Sequence, residues 1–220
     1  AHLPVEGLIR STVFDHFCGG VNENDCLRVV DKMFTKGVSS VLDYSVEGKE
    51  EEAQFDAALN MTLKTIEFAR EREAIPFAVF KPTGFGRLAL YEKVGEKAYL
   101  TENEQKEWNR VIERFDIACK TAFEKDVLLL IDAEESWMQD AADAIVTDMM
   151  RKYNKQKAIV FNTLQMYRWD RLDYLKNLHE QAKVEGFYIG MKLVRGAYME
   201  KENERAAERG QKSPICESKE

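Results

Sequence analysis

The sequence is poor in the residues that build disulfide frameworks and metal centres. Its 220 residues include only four cysteines and three histidines. The cysteines show no paired Cys-x-x-Cys spacing, so we predict no metal site and expect reduced thiols in a cytosolic-type compartment. The cysteines are Cys18, Cys26, Cys119 and Cys216.

Long apolar runs are also missing. No segment approaches the roughly 20 apolar residues that a membrane-spanning helix needs, and no secretory signal is recognised at the N-terminus. The formal net charge of −7 argues against broad nucleic-acid binding. A local anion site remains compatible with this charge, because a cleft focuses the field of its own cations.

What the chain does contain is a repeated alternation of apolar strand-like segments with amphipathic helical ones. A chain of this length favours one domain, and we expect 1–220 to form it. The predicted strands are 38–44, 76–81, 127–132, 157–165 and 187–194.

Helix starts are predicted from capping patterns. Asn24 is expected to cap the first helix, and Thr101 with Glu104 forms a capping box. Ser136 with Gln139 is read as a second capping box. The stretch 84–100 shows no regular period and is expected to be irregular.

Continuous apolar strands separated by helices favour a parallel sheet covered by those helices. The lack of a Gly-x-Gly-x-x-Gly motif after any strand argues against a Rossmann domain. The predicted fold class is therefore α/β, a distorted (β/α)8 barrel of the TIM type. We expect an N-terminal helical segment over about 1–37 and then about five β/α units. Because about 250 residues are typical of this fold, the remaining units are expected beyond 220.

Every predicted strand is followed by polar or charged side chains. In a parallel barrel the carboxyl ends of the strands share one face, which carries the site. A charge placed directly after an apolar strand is costly unless it is paired, so a shared polar pocket is indicated. The residues at these ends are Asp43, Tyr44, Lys81, Asp132, Glu134, Gln165, Lys192 and Arg195.

Structural explanations for these residues stay open. Asp43 can cap a turn, and Asp132 can be an ion-pair partner of Lys81. Gln165 can satisfy buried backbone groups.

The segment after the fifth strand indicates a phosphorylated, planar ligand. Lys192 and Arg195 offer two cations near a strand end. Gly196 and Ala197 remove side-chain bulk, so a large ligand can approach the backbone. Tyr198 then provides a flat apolar face with a polar tip.

These motifs together resemble the catalytic barrel of the proline dehydrogenases. Leu-Val-Arg-Gly-Ala-Tyr at 193–198 is specific, and the combination of motifs, which covers nearly the whole chain, is more so. The other matching segments are 42–47, 80–81, 131–135 and 162–167, with Lys192 directly before the last motif.

The resemblance implies a distorted barrel that holds FAD without a Rossmann motif. It implies oxidation of L-proline to Δ1-pyrroline-5-carboxylate, the first step of proline catabolism, with hydride transfer to flavin N5 and electrons passed to a membrane quinone. A monofunctional enzyme is expected, in the cytoplasm or peripherally on the inner face of a respiratory membrane (the matrix side in mitochondria).

The resemblance also implies roles for individual residues. Lys81 would bind the substrate carboxylate, Asp132 would polarise that side of the pocket, and Tyr198 would pack on the substrate ring. The residues expected at the cofactor are Gln165, Lys192, Arg195, Gly196 and Ala197.

Two features depart from the family pattern. Pro82, Thr83 and Gly84 follow Lys81 where the family usually has a small hydroxyl residue and a leucine. The family's paired arginines, which clamp the proline carboxylate from a C-terminal helix, have no counterpart in the sequence. We therefore expect the 220-residue polypeptide alone to be inactive.

Two other functions remain open. A lysine at a barrel strand end can form a Schiff base, as in aldolases, and Lys81 or Lys192 could serve. A non-catalytic flavin-binding barrel is the second alternative. Within the proline dehydrogenase interpretation, hydroxyproline or a related cyclic imino acid remains an alternative substrate.

Overall fold

The fold is built on one parallel sheet whose strand order follows the sequence. A computed structural model describes residues 12, 14, 18–43, 48 and 50–218. Each strand pairs in parallel with the next strand along the chain. The strands are β1 (Val41–Leu42), β2 (Phe77–Phe80), β3 (Leu128–Ile131), β4 (Val160–Gln165) and β5 (Met191–Val194).

Helices connect the strands and precede β1. The connection between β2 and β3 also contains a short 3-10 turn, Pro82–Gly84. The α-helices are α1 (Glu23–Phe34), α2 (Glu52–Arg70), α3 (Leu88–Gly95), α4 (Glu102–Lys125), α5 (Ser136–Tyr153), α6 (Arg171–Glu185) and α7 (Met199–Glu208).

The core lies where the helices cover the sheet. Leu129 and Ile131 of β3 are buried, as is Phe115 of α4. Phe80 stacks on Phe85 with ring centroids 4.3 Å apart, and Phe115 meets both rings edge-on. Burial of such rings is a large part of the apolar surface that drives folding, and this cluster lies directly beneath the end of β2.

The predicted fold class is confirmed: the chain is an α/β protein with a parallel sheet in sequential strand order. The strands are shorter than the apolar runs that predicted them, most of all β1. Tyr44 and positions 45–47 of the first motif lie outside the described residues, as does most of 1–17.

Two of the three helix starts predicted from capping patterns were wrong in detail. The cap of α1 is Asn22 rather than Asn24, since the Asn22 side chain accepts hydrogen bonds from the backbone N–H groups of Asn24 and Asp25. Ser136 does not cap α5, because its hydroxyl donates instead to Glu202. The capping box at Thr101 is present as predicted.

The stretch 84–100 is not irregular, because it contains α3. The residue before this helix, Arg87, makes no side-chain capping hydrogen bond. Its guanidinium donates instead to Glu107 of α4. Because α3 has no side-chain cap and is short, no local sequence signal predicted it.

Gly190, just before β5, is fixed by close packing. A Cβ at this position would lie 2.6 Å from the carbonyl oxygen of Val160 and 2.7 Å from Cγ of Phe161. Contacts this short do not occur without a shift of the backbone. A side chain at 190 would therefore push β5 away from β4.

Candidate active site

The carboxyl ends of β2 to β5 bring the predicted site residues to one edge of the sheet. The pairing of β2 with β3 continues past the strands, since the Asp132 N–H donates to the Phe80 carbonyl at 3.0 Å. Lys81 and Asp132 therefore follow neighbouring strand ends. Lys192 enters the same edge from β5.

An ion pair joins the residue after β3 to the second residue of β5. The ammonium of Lys192 donates a hydrogen bond to a carboxylate oxygen of Asp132. Both side chains are largely shielded from solvent, so the attraction is screened less than at an open surface. Asp132 thus has a partner other than the Lys81 that the sequence suggested.

Lys81 lies near a second carboxylate. Its Nζ is 3.9 Å from Oδ2 of Asp43, which follows β1. The Lys81 side chain is one-fifth exposed, so a ligand can reach it from solvent. The capping role considered for Asp43 concerns residues 44–47, which lie outside the described part of the chain; the contact with Lys81 balances part of the lysine charge.

The backbone after Lys81 is held from several sides. The hydroxyl of Tyr91 donates to the Pro82 carbonyl at 2.8 Å, and the buried Arg114 donates to the Phe85 carbonyl at 3.1 Å. The Phe85 ring is completely buried. The segment that departs from the family pattern is therefore a rigid turn.

Gln165, at the end of β4, is buried and fully engaged as a donor. Its amide nitrogen donates to the Glu134 carbonyl at 2.6 Å and to the Tyr167 hydroxyl at 2.8 Å. Its amide oxygen accepts from Arg168 at 3.0 Å. Burial raises the pKa of Tyr167 to about 12, so this hydroxyl stays neutral. Gln165 does satisfy a buried backbone group, as considered from the sequence.

The contact between Gln165 and Arg168 was missed from the sequence. Arg168 is buried and its guanidinium also binds the Asp170 carboxylate. Asp170 directly precedes α6, but its side chain makes no capping hydrogen bond. The spacing Gln165-x-x-Arg168 was the only available signal.

The segment after β5 is open and tightly turned. Arg195 is exposed and makes no ion pair with any residue that the structure describes. Gly196 is exposed and Ala197 is half-buried. Tyr198 adopts the left-handed conformation, with φ 56°. Such a conformation costs a non-glycine residue of order 1 kcal/mol and is often found at functional sites.

Lys192 and Arg195 have different surroundings. Lys192 is turned to Asp132, whereas Arg195 faces solvent. The donors at this edge still suit an anionic planar cofactor. An exposed guanidinium matches the paired oxygens of a phosphate, and Gly196 and Ala197 leave room beside the backbone.

Within the described ranges, no group of three or more His, Cys, Asp or Glu side chains is arranged to bind a metal ion. None of the helices that the structure describes is long and apolar enough to cross a bilayer.

The fold and the site define an α/β protein of the parallel barrel type, with lysine–carboxylate pairs at one edge of its sheet. A sequence model described as proline dehydrogenase matches residues 26–220. The chain belongs to the proline dehydrogenase family, so the resemblance seen in the motifs is confirmed.

Relatives show how much of the family's length is present. The chain is 36% identical over 197 residues to the carbapenem antibiotics biosynthesis protein CarD of Pectobacterium carotovorum subsp. carotovorum, covering 90% of this chain and 52% of that protein. It is 42% identical over 115 residues to the mitochondrial proline dehydrogenase 1 of Homo sapiens, covering 52% of this chain and 19% of that protein. The chain spans about half the length of the Pectobacterium relative.

Solved structures share the fold. The proline utilization A (PutA) protein from Bdellovibrio bacteriovorus, in a crystal structure of the form inactivated by N-propargylglycine, superposes with a TM-score of 0.81 at 18% identity. That comparison covers 98% of this chain and 24% of the other. PutA from Corynebacterium freiburgense gives a TM-score of 0.72 at 17% identity.

Proposed function

We propose that the protein oxidises L-proline to Δ1-pyrroline-5-carboxylate with a bound flavin. The observation that carries this proposal is the set of lysines and carboxylates that follow β1, β2 and β3 or, for Lys192, lie on β5, in a chain of the proline dehydrogenase family. Proline presents a carboxylate and a ring amine to such a site. Its oxidation removes a hydride from the carbon next to nitrogen and a proton from nitrogen, leaving a C=N bond.

Lys81 is the residue we assign to the substrate carboxylate. Its ammonium is partly accessible and lies on a rigid turn. A charge-assisted hydrogen bond from this ammonium would anchor the carboxylate and orient the ring. The contact with Asp43, at 3.9 Å, is long enough for a substrate carboxylate to compete with it.

Asp132 and Lys192 form the second element of the proposed site. The lysine fixes the Asp132 carboxylate, which can then face the ring amine of the substrate. The same ammonium places positive charge at the edge of the sheet assigned to the cofactor, where it would stabilise negative charge that develops during reduction.

The proposed cofactor is FAD, which would accept the hydride at N5 when bound. Arg195 is assigned to its phosphates, with Gly196 and Ala197 allowing close approach. Gln165 can contact the flavin ring only as a hydrogen-bond acceptor, because both of its N–H groups donate to partners within the protein. Tyr198 is assigned to packing against the substrate ring, and its constrained backbone supports a functional position.

The electron acceptor and location are part of the same proposal. Electrons would pass to a membrane quinone, with the protein at the inner face of a respiratory membrane or in the cytoplasm. Relatives named as mitochondrial proline dehydrogenases support a respiratory setting.

Hydroxyproline or a related cyclic imino acid, the alternative left open by the sequence, is the second candidate substrate. The Pectobacterium relative is named for carbapenem antibiotic biosynthesis and not for proline oxidation, which supports testing a substrate other than proline. Schiff-base chemistry at Lys192 is disfavoured, because the lysine would have to give up its ion pair with Asp132 to attack a carbonyl.

Product analysis tests the proposal. The full-length protein, purified, loaded with FAD and supplied with a soluble quinone, should convert L-proline into a cyclic imine that an aromatic amino-aldehyde traps. Borohydride added with a carbonyl substrate should leave Lys81 and Lys192 unmodified. Conversion of hydroxyproline alone would move the substrate to the second candidate, and borohydride trapping without imine formation would replace oxidation by Schiff-base chemistry.

A further inference from the structure

The direction in which Lys81 projects is set by the turn that follows it. Lys81 is extended, with φ −104° and ψ 139°, as is usual for a residue before proline. Its carbonyl accepts the Gly84 N–H at 2.9 Å, which closes the Pro82–Gly84 turn. Any movement of this turn would move the lysine ammonium as well.

Glu134 holds the turn with both of its carboxylate oxygens. Oε2 accepts the Thr83 N–H at 2.9 Å, and Oε1 accepts the Thr83 hydroxyl at 2.7 Å. The residue is only 3% exposed. A buried carboxylate that accepts two hydrogen bonds from one residue restrains both the position and the orientation of that residue.

The backbone of Glu134 is itself fixed by two buried amides. The Gln139 side chain accepts the Glu134 N–H at 3.1 Å, and Gln165 donates to the Glu134 carbonyl. Gln139 in turn donates to Asp143, which forms a buried ion pair with Arg171. Glu134 thus connects the turn that carries Lys81 to Gln165 and to the packing of α5 against α6.

The surroundings of Glu134 make its charge sensitive to pH. Burial is the main cause that raises the pKa of the Glu134 carboxyl to about 6, and the charge of Glu135 acts in the same direction. The hydrogen bonds from Thr83 and the charge of Lys81 act to lower this pKa. The Tyr91 phenol also faces it, since Glu134 contributes to the raised pKa of that hydroxyl. Protonation would remove an acceptor for Thr83.

We propose that Glu134 is a positioning residue that holds Lys81 ready for the substrate carboxylate through its two hydrogen bonds to Thr83. This role rests on the proposed function, in which Lys81 binds that carboxylate. It is separate from the chemistry assigned to Asp132, because Glu134 acts on the turn rather than on the substrate.

The first measurement is the affinity for cyclopentanecarboxylate, which has the shape of proline but no amine to oxidise. Thr83→Val should weaken its binding to the FAD-loaded protein about tenfold, the effect of losing one hydrogen bond to a charged group. Thr83→Ser should restore the affinity. Catalysis should show the same difference between the two variants. Thr83→Val should raise KM for proline, with kcat changed less than about twofold, and Thr83→Ser should restore KM. Equal affinities for Thr83→Val and Thr83→Ser would overturn the proposal.

The pH profile is the second readout. In the wild type, binding of the probe should weaken as pH falls through about 6, while the isosteric Glu134→Gln should lose this step. An unchanged step in Glu134→Gln would contradict the role of Glu134.

A third measurement does not depend on proline oxidation. Mass spectrometry can follow acylation of lysines by a water-soluble ester, since the rate depends on the exposure and protonation of each ammonium. Thr83→Val should change the acylation rate of Lys81 about threefold or more, because the accessibility of its ammonium changes. The acylation rate of the exposed Lys176 should stay the same. If Lys81 labelling changes but no carboxylate binds, the proposed function fails while the restraint stands; if it does not change, the restraint itself is refuted.

Discussion

Lys192 and Asp132 meet across β4, where Lys192 is in register with Thr163, although 60 positions separate them in the sequence. The pair joins a strand-end residue assigned to the substrate with one assigned to the cofactor. Removing one partner would leave the other charge partly buried and without this hydrogen bond, which is costly. The two residues should therefore act as a unit.

Neutralising this pair gives the first prediction. Asp132→Asn keeps the side-chain shape and should lower kcat/KM for proline by about 10–100-fold, since a charge-assisted contact is lost. Lys192→Met should have a similar effect, and the double variant should be less impaired than the product of the two. Asp126→Asn, at an exposed ion pair with Lys157, is the matched control and should leave kcat/KM unchanged. Multiplicative effects in the double variant would show that the pair does not act together.

The second prediction concerns Lys81. Lys81→Ala should raise KM for proline by about 10–100-fold, which corresponds to one charge-assisted hydrogen bond of roughly 1.5–3 kcal/mol. Lys176→Ala, on the exposed surface of α6, should leave KM as in the wild type. Steady-state kinetics of both variants measure this difference in KM. An unchanged KM in Lys81→Ala would show that Lys81 does not bind the substrate carboxylate.

The third prediction tests the packing before β5. Gly190→Ala should lower the free energy of unfolding by about 1–3 kcal/mol, because the new methyl group would overlap the Val160 carbonyl. Gly95→Ala, whose Cβ would lie 3.5 Å from the nearest atom, should be neutral or slightly stabilising, as expected in a helix. Urea unfolding of the two variants compares them directly. Equal stability would mean that β4 and β5 are not packed this closely.

The fourth prediction concerns acid stability. Hydrogen bonds from Arg110, followed by those from Arg114, hold the pKa of Glu52 at about 2, against an ordinary value of 4.5. Because the folded-state pKa is depressed, this carboxylate stabilises the fold above about pH 4.5 and loses that effect as pH falls towards about 2.

Glu52→Gln should accordingly flatten the loss of stability over that pH range. The exposed Glu113→Gln on α4 should retain the wild-type profile. Urea midpoints measured at several pH values give the comparison. A Glu52→Gln profile as steep as that of the wild type would show that other groups cause the acid sensitivity.

Much of the fold was accessible from the sequence because its signals are local. Apolar runs such as the one ending at Ile131 predicted strands in the correct order, and polar residues after them indicated the edge that carries the site. The glycine and small residues at 196–197 marked an open approach to the backbone.

The rest depends on contacts between distant segments. Ser136 has the sequence of a helix cap, but its hydroxyl is taken by Glu202, 66 positions away. Periodicity and capping rules contain no information about such a partner. For the same reason the sequence could not show that Asp132 pairs with Lys192, or that Glu134 reaches Thr83.

In the proposed function, this site removes a hydride from proline and passes it to a flavin. The most direct test is the visible absorption spectrum of the full-length, purified, FAD-loaded protein without oxygen, before and after L-proline is added. The flavin band should bleach with L-proline, and Lys81→Ala should need about 10–100-fold more L-proline for the same bleaching. A folded protein that binds no flavin, or whose flavin band is unaffected by any cyclic imino acid, would contradict it.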